Sequence, residues 1–352
     1  MLWIKKIGYY RLHQIKQKAN DWILIVDESI GIGQEKLLVI LGIRRSQIDF
    51  TRPLKIEDMK PLVVKSKKSW TGKAIAEELE KSKELVGSVL YATTDGGSTI
   101  KNGLFLAGIP HKYDVTHAIA IMLEKIYKKN EEFKAFTLTM GQMRLKLCCS
   151  KYAHIIPPNQ RSKSRFLNID IVSDWSMRIL KSIAKGKLST EEQELLQWVL
   201  DKKDFVEDMA QIITTIEKLS KILKYNGLDK ETKKQCTEIL KKCNTTAKQN
   251  HFKALFEDYL EANISPISKE KETFLCSSDI IESTFGKYKN ELSKNPMNGI
   301  TDLALIIPAF TSTLDQQEIK KAIDSCNCAL IKEWGVTNLC KSLSAKRKAV
   351  LN

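Results

Sequence analysis

With 352 residues, 43% of them hydrophobic and 28% charged, the chain is long enough for a full core and for about two domains. No apolar run reaches the ~18 residues of a membrane span, and no apolar stretch or small-residue cleavage site follows Met1-Leu-Trp-Ile-Lys-Lys, so a membrane-spanning or secreted protein is not expected. The excess of 57 Lys and Arg over 42 Asp and Glu, a net +15, favours a polyanionic partner, and nucleic acid before membrane because no basic amphipathic anchor stands out.

The eight cysteines (Cys148, Cys149, Cys236, Cys243, Cys276, Cys326, Cys328, Cys340) form no Cys-x-x-Cys pair, and the Cys326/Cys328 spacing does not suit structural zinc. They read as reduced thiols of a cytoplasmic protein, nucleoid-associated if the partner is bacterial DNA.

Residues 1–20 form a lead-in with Trp3, Ile4, Ile7, Tyr9, Tyr10 and Leu12 ready to pack, too short for an independent DNA-binding domain. Residues 22–43 hold two β-branched apolar runs around a Gly-containing turn, the pattern of a buried antiparallel hairpin. Asp27 ends the first run, where a carboxylate is costly to desolvate without a cation or hydrogen bonds. A third apolar segment spans 61–64, and a helical pattern follows near 71–84. Residues 85–94 read as a buried strand ending in Asp95-Gly96-Gly97, whose glycines let the backbone turn beside the carboxylate. A short helix or loop covers 98–106, a short strand 109–114, and Val115-Thr-His117 leads into a helix.

From 118 to about 275 the periodicity is helical. Phe205, Met209, Ile212, Ile216, Leu219 and Leu223 alternate in steps of four and three, a seam read as core before dimer zipper, closed by Asn226-Gly227. Ser277-Ser278-Asp279 opens a further helix carrying Glu282, an apolar helix is expected over 303–310, and the tail ends in Ala345-Lys-Arg-Lys348. Strands first and helices last predict an α/β core, a mixed sheet flanked by helices and interrupted by a large all-α insertion. The expected divisions are a lead-in at 1–20, core at 21–117, insertion at 118–275, core again at 276–340 and a basic tail at 341–352.

Two strand-end aspartates and a later helical glutamate can meet at one sheet edge. Three carboxylates at one point repel, and oxygen ligands favour Mg²⁺ or Mn²⁺ as the relief. Two such ions would clamp the attacking and leaving oxygens of a phosphodiester. Asp279, one turn before Glu282, is the alternative third acid.

This layout resembles the DDE transposases of the RNase H-like fold, a group that includes bacterial insertion-sequence transposases, and most the hAT-type arrangement with a helical insertion before the glutamate. The resemblance covers about residues 21–300. It implies that Asp27, Asp95 and Glu282 are the metal-binding catalytic acids and that two Mg²⁺ or Mn²⁺ ions are the cofactors. Asp114-Val-Thr-His117, 19 residues after Asp95, is similar to the family's Asp-or-Cys-x-x-His signature. It implies a catalytic role for His117 near the scissile phosphate, with Asp114 as its strand-end partner. The alternative is a helix N-cap Asp with a buried His. Lys289, two turns after Glu282, stands where some insertion-sequence transposases hold a phosphate, although the Tyr and Arg of that signature are replaced by Leu275 and Ser278.

Two runs are basic and free of acids: Lys60, Lys65, Lys67, Lys68 and Lys73 around Trp70, and Lys134, Arg144, Lys146, Lys151, Arg161, Lys163 and Arg165 with Tyr152, His154 and Phe166 between them. Positive charge interleaved with aromatics suits a nucleic-acid backbone; an ordinary solvated face is the alternative. The expected function is metal-dependent cleavage and strand transfer at transposon ends, by a homodimer or larger assembly on DNA, with end recognition from a separate domain or protein. A non-catalytic DNA-binding remnant and an RNase H-like nuclease are the rival readings.

Overall fold

The structure is a computed structural model that describes residues 2–28, 35–160, 166, 168–264, 273–292 and 299–351. It divides into two compact units. Met1–Asp114 and Cys276–Asn352 form the first, and Val115–Leu275 form the second.

The first unit is built on five strands: β1 (Ala19–Glu28), β2 (Lys36–Arg44), β3 (Lys60–Lys67), β4 (Gly87–Thr94) and β5 (His111–Tyr113). Their order in the sheet is β3-β2-β1-β4-β5. The first three strands pair antiparallel, while β1/β4 and β4/β5 pair parallel. This is the mixed α/β sheet expected from the order of apolar runs. The near-continuous burial of Trp22–Val26 and Leu37–Ile43 follows from helices covering both faces of the sheet.

Helices α1 (Leu2–His13), α2 (Gly72–Val86) and α3 (Ser98–Leu106) belong to this unit. Thr71 accepts the Ala74 N–H to start α2, whose Ile75, Leu79 and Val86 face Leu24, Val26, Leu38 and Ile40 of the sheet. Because α2 runs on to Val86, β4 begins at Gly87, two residues later than the apolar run suggests. The lead-in is an integral helix of this unit. Gly8 lets α1 approach Leu305 so closely that a Cβ would lie 1.8 Å from its carbonyl oxygen. Arg11 of α1 is fully buried, donating to the carbonyls of Ala309 (2.6 Å) and Thr311 and to Glu318 (2.7 Å).

In the first unit's second segment, α11 (Asp279–Glu291) is followed by a 3₁₀ turn, Asp302–Leu305, that runs into the short α12 (Ile306–Ala309). The expected helix over 303–310 is thus only partly α, since Pro308 lacks the N–H a longer helix needs. Among the described residues of the unit, three more helices follow: α13 (Gln316–Ser325), α14 (Cys328–Asn338) and α15 (Leu343–Leu351).

The second unit is helical: α4 (Val115–Tyr127), α5 (Glu131–Leu147), α6 (Ile169–Ala184), α7 (Thr190–Leu200), α8 (Lys203–Asn226), α9 (Lys230–Leu240) and α10 (Ala247–Ile264). The α8 seam is its core, with Phe205, Met209, Ile212, Leu219 and Leu223 buried, and α8 stops at Gly227. Tyr127, Phe133, Phe136, Trp198 and Phe205 form an aromatic cluster with ring separations of 5.0–6.5 Å. A two-bond bridge between Leu228 and Phe274 ties the end of the unit to its middle. Among the described residues, no helix is long and apolar enough to cross a membrane.

Candidate functional site

The parallel register places the strand-end acids. Ile25 of β1 pairs with Thr93 of β4, and Thr93 pairs with Lys112 of β5. Two residues further along each strand stand Asp27, Asp95 and Asp114. The three aspartates therefore fall level across the carboxyl edge of the sheet, neighbouring backbones roughly 4.8 Å apart. Asp27 and Asp95 each end an apolar run, since a carboxylate is costly to carry into the core without a partner. Asp27 and Asp95 are half-buried and Asp114 is fully buried.

The turn after β4 is held from both sides. The Thr94 hydroxyl accepts the Gly96 N–H at 3.0 Å, and Asp95 Oδ1 accepts the Gly97 N–H at 2.9 Å. Gly96 has φ +79, and a Cβ on it would lie 1.8 Å from the Tyr113 ring. Thr94 Oγ1 also lies 2.9 Å from His111 Nε2. Burial, reinforced by Lys101, pushes the His111 pKa down to about 4 against the opposing pull of Asp95. Histidine and hydroxyl share this hydrogen bond and together shape the Asp95 loop. Neither residue stands out along the chain, where only the short spacing of His111 from Asp114 hints at the pair.

Asp114 closes the row and turns to the returning chain. Its Oδ2 accepts the backbone N–H of Ser278 at 2.6 Å and the Ser278 hydroxyl at 3.0 Å. Ser278 is the residue before α11, so this contact fixes where the helix of Glu282 begins. Beside it Lys112 is buried near Cys276, and burial lowers its pKa. The helix α11 packs against β1 and α12 and buries Ile280, Ile281, Thr284, Phe285 and Tyr288. Glu282 and Lys289 are exposed, and 700° of helical turn separates them, which leaves them about 20° apart on one stripe. Asp279 is half-buried. His117 stands in the first turn of α4, half-buried, in the second unit.

The donor set suits a hard divalent cation in kind, since Asp27 and Asp95 offer only oxygen. Among the described residues, no three His, Cys, Asp or Glu side chains are gathered as a ready metal site. Glu28, next to Asp27, alternates to the other face of β1 and pairs with Lys36.

The basic runs look different in space. Trp70, expected among the lysines as a stacking platform, is only 5% exposed and donates its indole N–H to Lys36 O, while Lys67 lies over its ring. It is core because its indole joins the cluster of Leu38, Ile75 and Leu79. Lys65 pairs with Glu78 at 2.9 Å, and Lys68 is exposed. In the second unit Lys134 pairs with Glu131 (2.7 Å), Lys151 with Glu191 (2.8 Å) and His154 with Glu192 (2.7 Å). Arg144 is half-buried and Lys146 is exposed. Arg161, Lys163 and Arg165 lie outside the described residues.

No protein-family model and no curated protein matches this sequence. Among solved structures, the chain is similar to the Drosophila P element transposase strand transfer complex, with 10% identity and a TM-score of 0.39 over 89% of this chain and 81% of that one. Strand order and register define the fold independently of that likeness.

Proposed function

We propose that this chain is a transposase-like polynucleotidyl transferase of the RNase H-like, DDE type, hydrolysing and transferring phosphodiesters at DNA ends. The observation that carries the reading is the level placement of Asp27 and Asp95, with the helix of Glu282 tied by Asp114 to the same sheet edge. A net charge of +15 supplies the general affinity for a polyanion.

In this reading Asp27 and Asp95 hold Mg²⁺ or Mn²⁺, with Glu282 as the third carboxylate. A bound cation would supply charge stabilisation for the attacking and leaving oxygens of the phosphodiester. His117 donates a hydrogen bond to a phosphate oxygen, an interaction that strengthens as charge builds in the transition state. Lys289, on the stripe of Glu282, steadies a neighbouring phosphate. Thr94 and His111 keep the Asp95 loop in one conformation, so that its carboxylate is preorganised.

The test incubates the purified chain with labelled duplex DNA and Mg²⁺ or Mn²⁺. Asp27→Asn and Asp95→Asn abolish cleavage and weaken Mn²⁺ binding in calorimetry, while duplex affinity persists. A second reading, a non-catalytic DNA-binding protein of the same fold, is favoured by the exposure of Glu282 and the ungathered acids. Retained DNA binding with no metal-dependent cleavage under any condition selects it. Cleavage without joining of the 3′ end to a second duplex selects a nuclease.

A further inference from the structure

Cys148 and Cys149 stand side by side at the end of α5, both exposed, with their sulfurs 3.8 Å apart. The helix holds them there. Cys148 caps α5 with φ −59 and ψ −29, its N–H donates to Arg144 O at 3.0 Å, and its thiol donates to Leu145 O at 3.2 Å. A disulfide between them is disfavoured, because adjacent Cα atoms lie about 3.8 Å apart and a relaxed bridge needs roughly 4.4–6.8 Å. A thiophilic cation fits better. Two sulfurs on tetrahedral zinc, each at about 2.3 Å from the metal, are separated by about 3.8 Å. The pair therefore already has the bite of a zinc dithiolate. The hydrogen bond with Cys148 pushes the Cys149 thiol up, so a cation has to displace that proton.

Two thiolates are half of a tetrahedral site. Among the described residues, no third His, Cys, Asp or Glu gathers with them. The same helix presents a surface for a second copy. Glu131, Ala135, Leu138, Gln142, Leu145 and Cys149 are all exposed and alternate in steps of four and three, the spacing of a helix seam. Leu138 is 64% exposed and Leu145 79%, and with Cys149 they fall within about 40° of one line along the helix. Between the two leucines, a Cβ on Gly141 would meet nothing within 4 Å, so the seam is open there. Two α5 helices laid parallel along this seam set each leucine against its own equivalent and bring both dithiols to the same end.

We propose that Cys148 and Cys149 bind Zn²⁺ between two copies of this chain, as a four-cysteine site that fastens a parallel α5 seam. Four thiols release four protons, and the four thiolates around Zn²⁺ leave two negative charges on the site. Lys146 is exposed and makes no ion pair among the described residues, so each copy brings one cation to offset them. The neighbouring charges are already matched: Lys151 with Glu191, Lys134 with Glu131, and Glu192 with His154 and the Ser189 N–H. An antiparallel seam is ruled out for this site, since it carries the two dithiols to opposite ends of the helices.

The test titrates Zn²⁺ into the full chain, reduced with a phosphine and held in excess Mg²⁺ to occupy carboxylate ligands, and follows mass by light scattering. The mass is expected to double at one Zn²⁺ per two chains and to return to its starting value with EDTA. Cd²⁺ in place of Zn²⁺ reads the ligands directly, through an ultraviolet thiolate absorption expected to saturate at four thiolates per ion. Cys148→Ser or Cys149→Ser abolishes both signals, whereas Cys328→Ser, at another exposed cysteine, leaves them unchanged. Leu145→Glu keeps the thiols and weakens the metal-linked doubling by about tenfold or more. One Zn²⁺ per chain without a change of mass overturns the proposal, as does doubling that persists in EDTA or in Cys148→Ser. No Zn²⁺ binding up to about 100 μM also overturns it.

Discussion

Asp114 accepts both the backbone N–H and the hydroxyl of Ser278, joining residues 164 positions apart in the chain. The contact is fully buried and links the end of β5 to the start of α11, so one carboxylate sets both the sheet edge and the helix that carries Glu282. Asp114→Ala leaves a buried N–H and a hydroxyl unsatisfied and is expected to lower stability by about 1–3 kcal/mol. Ser278→Ala, which loses only the hydroxyl bond, costs about 0.5–1.5 kcal/mol. Denaturant midpoints check both, and an unchanged midpoint in Asp114→Ala would show that α11 is held by other contacts.

Gly96 is the second structural hinge of the site. Gly96→Ala has to place a Cβ into the Tyr113 ring from a left-handed backbone conformation. The Asp95 loop then shifts, and the metal-dependent cleavage of the proposed function is expected to fall by about tenfold or more. Adding Tyr113→Ala removes the collision but not the backbone strain, so activity returns only in part. Full recovery in the double variant would assign the whole effect to the ring.

His111 makes stability depend on pH. In the unfolded chain it takes up a proton near its ordinary 6.5, whereas the folded chain keeps it neutral down to about 4. The unfolded state therefore binds more protons within that window. The His111 contribution is complete above pH 6.5 and is lost as pH falls toward about 4. Unfolding free energies of wild type and His111→Leu, measured from pH 7 to 4, should diverge across this window. Parallel profiles would mean that the imidazole titrates normally in the folded chain.

His117→Ala is expected to leave duplex affinity and Mn²⁺ binding near wild type while lowering cleavage by roughly 10²-fold. Single-turnover rates at saturating DNA separate this from a binding defect. A variant that cleaves at the wild-type rate would make His117 a packed helix-start residue.

The basic residues are expected to differ in their contribution to DNA binding. Replacing Lys146, Arg161 and Arg165 together with Ala should flatten the plot of log affinity against log salt by about 2–3, roughly 0.9 for each phosphate no longer neutralised. Lys151→Ala and Lys134→Ala should change it less, because Glu191 and Glu131 already neutralise those ammonium groups. Equal slopes for all variants would remove this run from the DNA surface.

The amino-acid sequence alone determined most of the strand and helix stretches, though not where β4 begins or that Asp302–Leu305 is a 3₁₀ turn, and it showed which acids stand at strand ends. Val, Ile and Leu runs, the Asp95-Gly96-Gly97 turn and the four-three spacing of α8 act within a few residues, so their outcome is legible locally. The bulk charge is legible in the same way. The tertiary structure decided what those residues meet. Register brings Asp27 level with Asp95 across strands that are 68 positions apart in the chain. Asp114 finds Ser278, and Trp70 goes into the core instead of onto the surface. The run from 133 to 168 is free of acids along the chain but not in space, because Glu191 and Glu192 reach it from α7. Sequence periodicity encodes which face of an element is buried; pairing partners, ion pairs and strand register depend on distances between residues that only the folded chain brings together.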